Sequence, residues 1–212
     1  PGSESVVAEG PWAGSTLSEL IGRFGAELLG KANYARFGQE FPLLVKFIDA
    51  REDLSIQVHP DDELARKRHG KSGKCEMWYV LEAEPGASLL TGFSRPIAPA
   101  EYERRVADNT LTDVLNRQAI ASGDVFYLPA GRVHSIGKGS FIVEIQQSSD
   151  ITYRIYDFDR RDAAGNSREL HTELAREAID FESSENSRIT YAPENNQEVR
   201  LVTTPYFTTS LY

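Results

Sequence analysis

The sequence predicts a mainly β fold, an antiparallel barrel or sandwich with helices outside it, on three observations. Short β-rich runs recur through the middle of the chain, among them PLLVKFID (42–49), LSIQVHP (54–60) and DVFYLP (124–129). Gly and Pro punctuate these runs at turn positions. Helical spacing is confined to two stretches, 16–37 and 98–121, so the helices are peripheral to the strands.

Residues 1–14 are small, polar and Gly/Pro-rich, and read as loop or extended chain. From Thr16 to Phe37, Leu17, Leu20, Ile21, Phe24, Leu28 and Leu29 follow a 3.6 period. Thr16 and Glu19 stand at capping-box distance, and Gly30 is the expected stop. After the strands from Pro42 and Leu54, DDELARKRHG (61–70) reads as a short helix or polar loop. EMWYVLEAEPGASLLTGF (76–93) reads as two strands joined by a Glu84-Pro85-Gly86 turn. Tyr102, Val106, Leu111, Val114, Leu115 and Ile120 restore helical spacing. Short strands follow at DVFYLP, HSIG (134–137), SFIVEIQQSS (140–149) and TYRIYDFDR (152–160). The segment 161–198 is polar with few anchors, and LVTTPYFTTSLY (201–212) reads as extended. The expected organisation is an N-terminal extended and helical segment (1–41), a barrel core with a helical insertion around 98–121 (42–160), and a C-terminal polar segment with a final strand (161–212). Together they make one structural unit.

The chain has 212 residues, 40% hydrophobic and 26% charged, which suits a globular protein with a sizeable core. A net charge of -9 argues against a general nucleic-acid or anionic-membrane binder, because both need a basic surface. One cysteine, Cys75, can form no internal disulfide and excludes a Cys-based zinc finger. The first residues carry no basic and apolar leader pattern, and no apolar run reaches the roughly 20 residues needed to span a bilayer. The expectation is a cytoplasmic protein.

Two of the four histidines keep unusual company. In SIQVH (55–59), strand alternation points Ser55, Gln57 and His59 the same way. On the inner face of a barrel these polar groups need partners, which a metal ion or polar ligand supplies. In GDVFYLPAGRVH (123–134), Gly123 and the Pro129-Ala130-Gly131 turn bracket a short apolar strand. His134 opens the next, in an apparent hairpin that holds its imidazole at a barrel mouth.

The second segment matches the cupin signature G-x5-P-x-G-x2-H, with Lys138 in place of an Asn often found four residues after the His. The first departs from the usual cupin HxH, since Gln57 stands in place of its first His. That departure resembles one family, the type I mannose-6-phosphate isomerases of the cupin superfamily, in their shorter bacterial branch. The resemblance rests on SIQVHPDD (55–62), GKCEMWYVLEAEPG (73–86), GDVFYLPAGRVHSIGKG (123–139) and EIQQSSDITYRIYDFDR (144–160). It implies a cupin-type antiparallel β-barrel (jelly roll). It implies one zinc per chain on Gln57, His59, Glu76 and His134, a ligand set of good zinc donors that leaves a position open for substrate. The implied reaction interconverts mannose 6-phosphate and fructose 6-phosphate. Lys74, two residues before Glu76, matches a family lysine and is the expected acid/base group. Arg154 matches the family's active-site arginine. Ser55, with Arg160 second, is expected to meet the phosphate. Set against the family, the expectation is of a chain that begins late and ends early, without the leading strands and the C-terminal small β-domain.

Plainer readings stand beside these. Glu76 alone could be an ordinary strand carboxylate, Lys74 a solvated loop charge, and Arg154 a salt bridge to Asp157 or Asp150. His69 and His171 read as surface groups, and Cys75 as packing on the face opposite Glu76. Trp78 shares the Glu76 face and suits either pocket or core. Two further functions compete with the isomerase: a metal- or sugar-binding cupin domain without turnover, and an iron-dependent cupin oxygenase, disfavoured because such sites use more histidines. The expected partner is a small hexose phosphate, with no nucleic acid and no membrane. Nothing in the residues fixes an oligomeric state.

Overall fold

A computed structural model describes residues 4–182 and 186–212. The chain divides into two compact units, Pro1–Leu43 and Leu44–Tyr212. The first carries three short helices, α1 (Leu17–Phe24), α2 (Ala26–Leu29) and α3 (Lys31–Phe37). Thr16 Oγ1 accepts from Glu19 N at 3.1 Å, and Glu19 Oε2 accepts from Thr16 N at 2.8 Å, completing the expected capping box. The helical run breaks twice, at Gly25 (φ 48°) and Gly30 (φ 83°), because positive φ cannot continue a right-handed helix. Gly30 was the expected stop; Gly25 is an earlier one.

The second unit begins within β1 (Leu43–Ala50) and continues through β2 (Ile56–Val58), α4 (Asp62–His69), β3 (Glu76–Ala83), β4 (Ser88–Phe93) and α5 (Pro99–Ala107). A 3-10 turn (Leu111–Val114) leads into β5 (Leu115–Ala119), followed by β6 (Val125–Leu128), β7 (His134–Ile136), β8 (Ser140–Gln147) and β9 (Tyr153–Tyr156). Then come α6 (Thr172–Ala178), β10 (Arg188–Ile189), β11 (Val199–Thr203) and β12 (Thr208–Leu211).

Two five-stranded sheets form the frame, in the orders β1-β8-β3-β6-β10 and β5-β4-β7-β2-β9, with β11 and β12 as a separate pair. The registered pairs are antiparallel. Sequential strands β3 and β4 lie in different sheets, and so do β6 and β7. The Glu84–Gly86 turn and the Pro129–Gly131 turn therefore carry the chain from one sheet to the other. The apparent hairpin at Gly123–His134 is such a crossover, because each strand finds its partners elsewhere in a jelly roll.

Alternation sorts the side chains into two cores. Trp78, Val80, Leu89, Phe126, Leu128, Ile136 and Ile142 come from both sheets and fill the space between them. Ile56, Val58, Leu90, Tyr153 and Ile155 point from the back of the second sheet onto α5 and α6, against Tyr102, Ala175 and Ile179. Gln57, between Ile56 and Val58, thus faces the intersheet space.

The stretch 98–121 is not one helical insertion. Helix α5 ends at Ala107, and Leu115–Ala119 is a strand paired with β4. Leu111, Val114 and Leu115 satisfy a helical period, but they cap the outer core from a turn and a strand end. Conversely, the polar segment from 161 hides α6. Its buried stripe is small, centred on Ala175, and its start is tied to α5 by Tyr102 Oη donating to Thr172 O at 3.0 Å. So few apolar residues give almost no periodic signal. Among the described residues no helix is long and apolar enough to cross a membrane.

Candidate metal centre

Cross-strand register sets a row of inward positions across the second sheet. Arg154 on β9 faces Gln57 on β2, Gln57 faces His134 on β7, and His134 faces Thr91 on β4. On the opposing sheet Glu76 stands between Gln146 and Leu128. His59 follows β2 by one residue and keeps the Gln57 side. The strands thus gather His59, Glu76 and His134 from three distant stretches. One ligand atom from each lies within 4.8 Å of the others, and all three residues are buried.

The hydrogen bonds orient these groups for a cation. His59 Nδ1 meets Ile151 O at 2.8 Å, and His134 Nδ1 meets Arg132 O at 2.8 Å. A backbone carbonyl only accepts, so each ring carries its proton on Nδ1 and turns the Nε2 lone pair inward. Those lone pairs face a carboxylate: His59 Nε2 is 3.5 Å from Glu76 Oε2, and His134 Nε2 is 3.2 Å from Glu76 Oε1. His59 Nε2 and both Glu76 oxygens are buried without a hydrogen-bond partner. Buried acceptors left without a hydrogen bond, such as His59 Nε2 and the Glu76 oxygens, are unfavourable in a low-dielectric interior unless a cation joins them. Gln57 Nε2 lies 3.2 Å from His134 Nε2, and half a turn of its amide would offer Oε1 instead.

Electrostatics keep the ligands in their binding forms. Burial first, and Lys74 second, push His59 down to about 4. Burial likewise lowers His134, against the attraction of Glu76. For Glu76, burial acts upward, but Lys74, His134 and His59 outweigh it and hold the carboxyl well below the usual range. Two neutral imidazoles and one carboxylate fit a divalent metal with borderline-soft preferences.

Lys74 is buried, with Nζ 3.0 Å from Glu76 Oε2, at an angle that leaves that oxygen's hydrogen-bonding capacity unfilled. Its backbone N donates to Pro60 O at 3.1 Å, which ties the segment before Glu76 to the segment after His59. Gly73 allows this contact, since a Cβ there would meet the Asp61 carbonyl carbon at 2.4 Å. Arg154 shares the Gln57 row. Its Nη1 donates to Glu169 O at 3.0 Å, and its Nε is buried without a partner. Ser55 is buried at the other end of β2 from His59. Arg160 lies at that end too, donating to Asp53 O at 2.6 Å and pairing with Asp157 at 2.5 Å. The structure thus brings Gln57, His59, Lys74, Glu76 and His134 together and sets Ser55 and Arg160 apart.

Other expectations resolve simply. His69 Nε2 meets Tyr153 Oη at 2.8 Å from an exposed position, and half-buried His171 accepts from Arg154 N through Nδ1 at 3.2 Å. Trp78 serves pocket and core together: it is fully buried, stands edge-on to His134 at 5.4 Å, and donates to Glu144 Oε2 at 3.1 Å. Sequence reading missed the group beyond it. Lys46 Nζ reaches Glu144 Oε1 at 2.8 Å and Gln146 Oε1 at 2.5 Å. The signal was present in SFIVEIQQ, where Glu144 and Gln146 share the alternation of buried Ile142. An open cleft of about 350 Å³, lined by Asp61, Glu63, Lys67, Gly131, Glu177 and Asp180 among others, includes none of these residues.

Comparison with known proteins follows the same pattern. The family model for the phosphomannose isomerase type I catalytic domain matches residues 1–93. The mannose-6-phosphate isomerase of Streptococcus mutans is 38% identical over 209 residues, covering 98% of this chain and 64% of that protein. ManA of Bacillus subtilis, also a mannose-6-phosphate isomerase, is 41% identical over 181 residues, 85% of this chain and 56% of its own. The crystal structure of a B. subtilis mannose 6-phosphate isomerase superposes with a TM-score of 0.86 at 35% identity, over 97% of this chain and 64% of that one. The chain spans less than two thirds of the length of these relatives.

Proposed function

We propose that this chain, which belongs to the type I phosphomannose isomerase family, interconverts mannose 6-phosphate and fructose 6-phosphate at a zinc held by Gln57, His59, Glu76 and His134. One observation carries the reading: two inward-facing Nε2 atoms and a carboxylate converge, buried, on one point between the sheets, with His59 Nε2 and both Glu76 oxygens left without a hydrogen bond. Zinc bound there supplies a Lewis acid for the sugar oxygens.

The conversion of aldose to ketose takes a proton from C2 and returns one to C1, while O2 loses and O1 gains a proton. In this reading Lys74, buried beside Glu76, carries the carbon-bound proton, which requires its amine to be neutral when it accepts. Arg154 keeps its charge at any working pH, so it serves as a fixed cation for negative charge that develops on the sugar oxygens. Its buried, unpartnered Nε is a donor held in reserve for that purpose. The intersheet walls of Trp78, Phe126 and Leu128 keep water from the reacting carbons. Ser55 and Arg160, at the other end of β2, suit the far end of the substrate. A small anionic substrate needs local arginines working against the chain's overall negative charge, and the single buried thiol fits a cytoplasmic setting.

Metal analysis joined to a mannose 6-phosphate isomerase assay tests this. Zinc at one equivalent with turnover supports it, and full activity in His59→Ala overturns it. Zinc with sugar binding but no turnover would favour a binding domain on the same scaffold.

A further inference from the structure

Strand β9, which carries Arg154, is an edge of the second sheet, and among the described strands only β2 pairs with it. That pairing is irregular at the critical place. Ile56 faces Tyr156 while Gln57 faces Arg154, so β9 has one extra residue, Ile155, beside Arg154. A bulge of this kind re-aims the neighbouring side chain and interrupts the ladder that would fix it. On its other side an edge strand presents N–H and C=O groups with no strand to take them.

At Arg154 a single residue, His171, takes both. Arg154 O accepts from His171 N at 2.7 Å, and Arg154 N donates to His171 Nδ1 at 3.2 Å. The imidazole nitrogen stands where a neighbouring strand would put a carbonyl oxygen. The guanidinium is tied to the same segment, with Nη1 donating to Glu169 O at 3.0 Å. Backbone and side chain of Arg154 are thus fixed together from residues 169–171.

The chain is folded back to make this contact. Phe158 and Asp159 both take left-handed conformations, φ 54° and 53°, which turn it away from the strand direction after β9. Arg168 then donates through Nε to Asp157 Oδ2 at 2.7 Å and closes the return. His171 arrives at the N-cap of α6, a place where Ser, Thr, Asp or Asn commonly caps the helix. Its side chain makes no capping bond there and is turned onto β9 instead. The contact also sets its tautomer. Nδ1 must keep its lone pair to accept, so the proton of the neutral ring sits on Nε2, 3.8 Å from Glu169 Oε2.

We propose that His171 is a positioning residue for Arg154: its Nδ1 and backbone N–H bracket the bulged edge of β9 and hold the guanidinium on the Gln57 row. The role rests on the isomerase reading above, in which Arg154 meets developing negative charge. A fixed cation serves that purpose only if its place is set before the reaction, since a misplacement of about 1 Å can cost on the order of 100-fold in rate. His171 itself touches no reacting atom; it acts through Arg154.

His171→Ala in the whole chain keeps the backbone bond and removes only the imidazole. By NMR on the metal-free chain, the Arg154 amide should then exchange about tenfold faster, the loss of one hydrogen bond. Nitrogen shifts of the parent in alkaline buffer should show His171 Nδ1 without a proton. In the isomerase assay His171→Ala should keep its zinc and lower kcat about tenfold with KM little changed, a smaller loss than that of the guanidinium itself. In an Arg154→Ala background the same change should lower kcat no further, because its effect passes through Arg154. His171→Asn, whose Oδ1 stands near the place of Nδ1, should recover part of the kcat. Arg176→Gln, which removes an ion pair between α6 and Glu103, should change neither exchange nor kcat. Unchanged Arg154 exchange in His171→Ala, a protonated Nδ1, or kcat losses that add in the double variant overturn the proposal. So does a His171→Asn chain that regains thermal stability without kcat, since Asn is a good N-cap and that pattern assigns His171 to α6. A parent chain without turnover removes the isomerase reading, while faster exchange in His171→Ala still keeps the bracket on Arg154.

Discussion

Gln57 and His134 are cross-strand partners on β2 and β7, and their side chains meet at 3.2 Å with Gln57 Nε2 against His134 Nε2. The amide therefore occupies the lone pair that a metal would take. Gln57→Ala should leave His59, Glu76 and His134 in place and weaken zinc modestly, within the roughly 10- to 100-fold range of supporting groups. His59→Ala should weaken it further. Competition with a chelator checks both, and equal losses would contradict the ranking.

Metal-free protein should lose stability as pH falls from about 6.5 toward 4. His59 titrates near 6.5 when unfolded and about 4 when folded, so the unfolded chain binds more protons across that interval. Stability is full above the upper value and declines as pH drops, on the order of 3 kcal/mol at about 1.4 kcal/mol per unit. The downward shifts of His134 and Glu76 have the same sign. Urea unfolding of the metal-free chain at pH 7 and pH 4.5 measures it, and equal midpoints would refute it.

Glu76→Gln should destabilise the metal-free chain by about 3–5 kcal/mol. Lys74 would remain buried beside a neutral amide, and an unpaired interior charge is costly. Glu76→Gln with Lys74→Met should recover most of the loss. A double-mutant cycle by denaturant unfolding decides this, and additive losses would show that the two groups do not interact.

Gly73→Ala should cost about 1–3 kcal/mol and weaken metal binding together, because the new methyl group meets the Asp61 backbone at 2.4 Å. The same change at Gly10, where a Cβ meets nothing within 4 Å, should leave metal binding unchanged. Metal titration beside thermal melting separates the two effects.

Arg154→Ala should retain zinc and lower kcat by about 100-fold, the scale of losing a fixed donor to developing charge. Unchanged kcat would reduce Arg154 to its contact with Glu169 O.

Much of this centre was legible where the information is local. Spacing puts Gln57 and His59 on one strand face and the Gly123–His134 run holds its glycines and proline where turns need them, while the four-ligand set followed from the family resemblance. Arg160 shows the limit. Its residue type suggested an anion contact, but its engagement with Asp157 depends on two left-handed residues that no periodicity reveals. Lys46 and Glu144 meet across 98 positions of chain, so only sheet register brings them together. Helix α6 escaped notice because Ala175 contributes little apolar signal, and 115–119 misled because hydrophobic residues at a strand end can mimic a helical stripe.

Glu76 belongs to one sheet, while Gln57, His59 and His134 come from the other. An ion gripped by all four is a clasp across the seam of the jelly roll. Stripping it should therefore unfasten this mouth first, with amide exchange quickening along β2, β7 and the start of β3 while the Trp78–Ile142 interior stays shut.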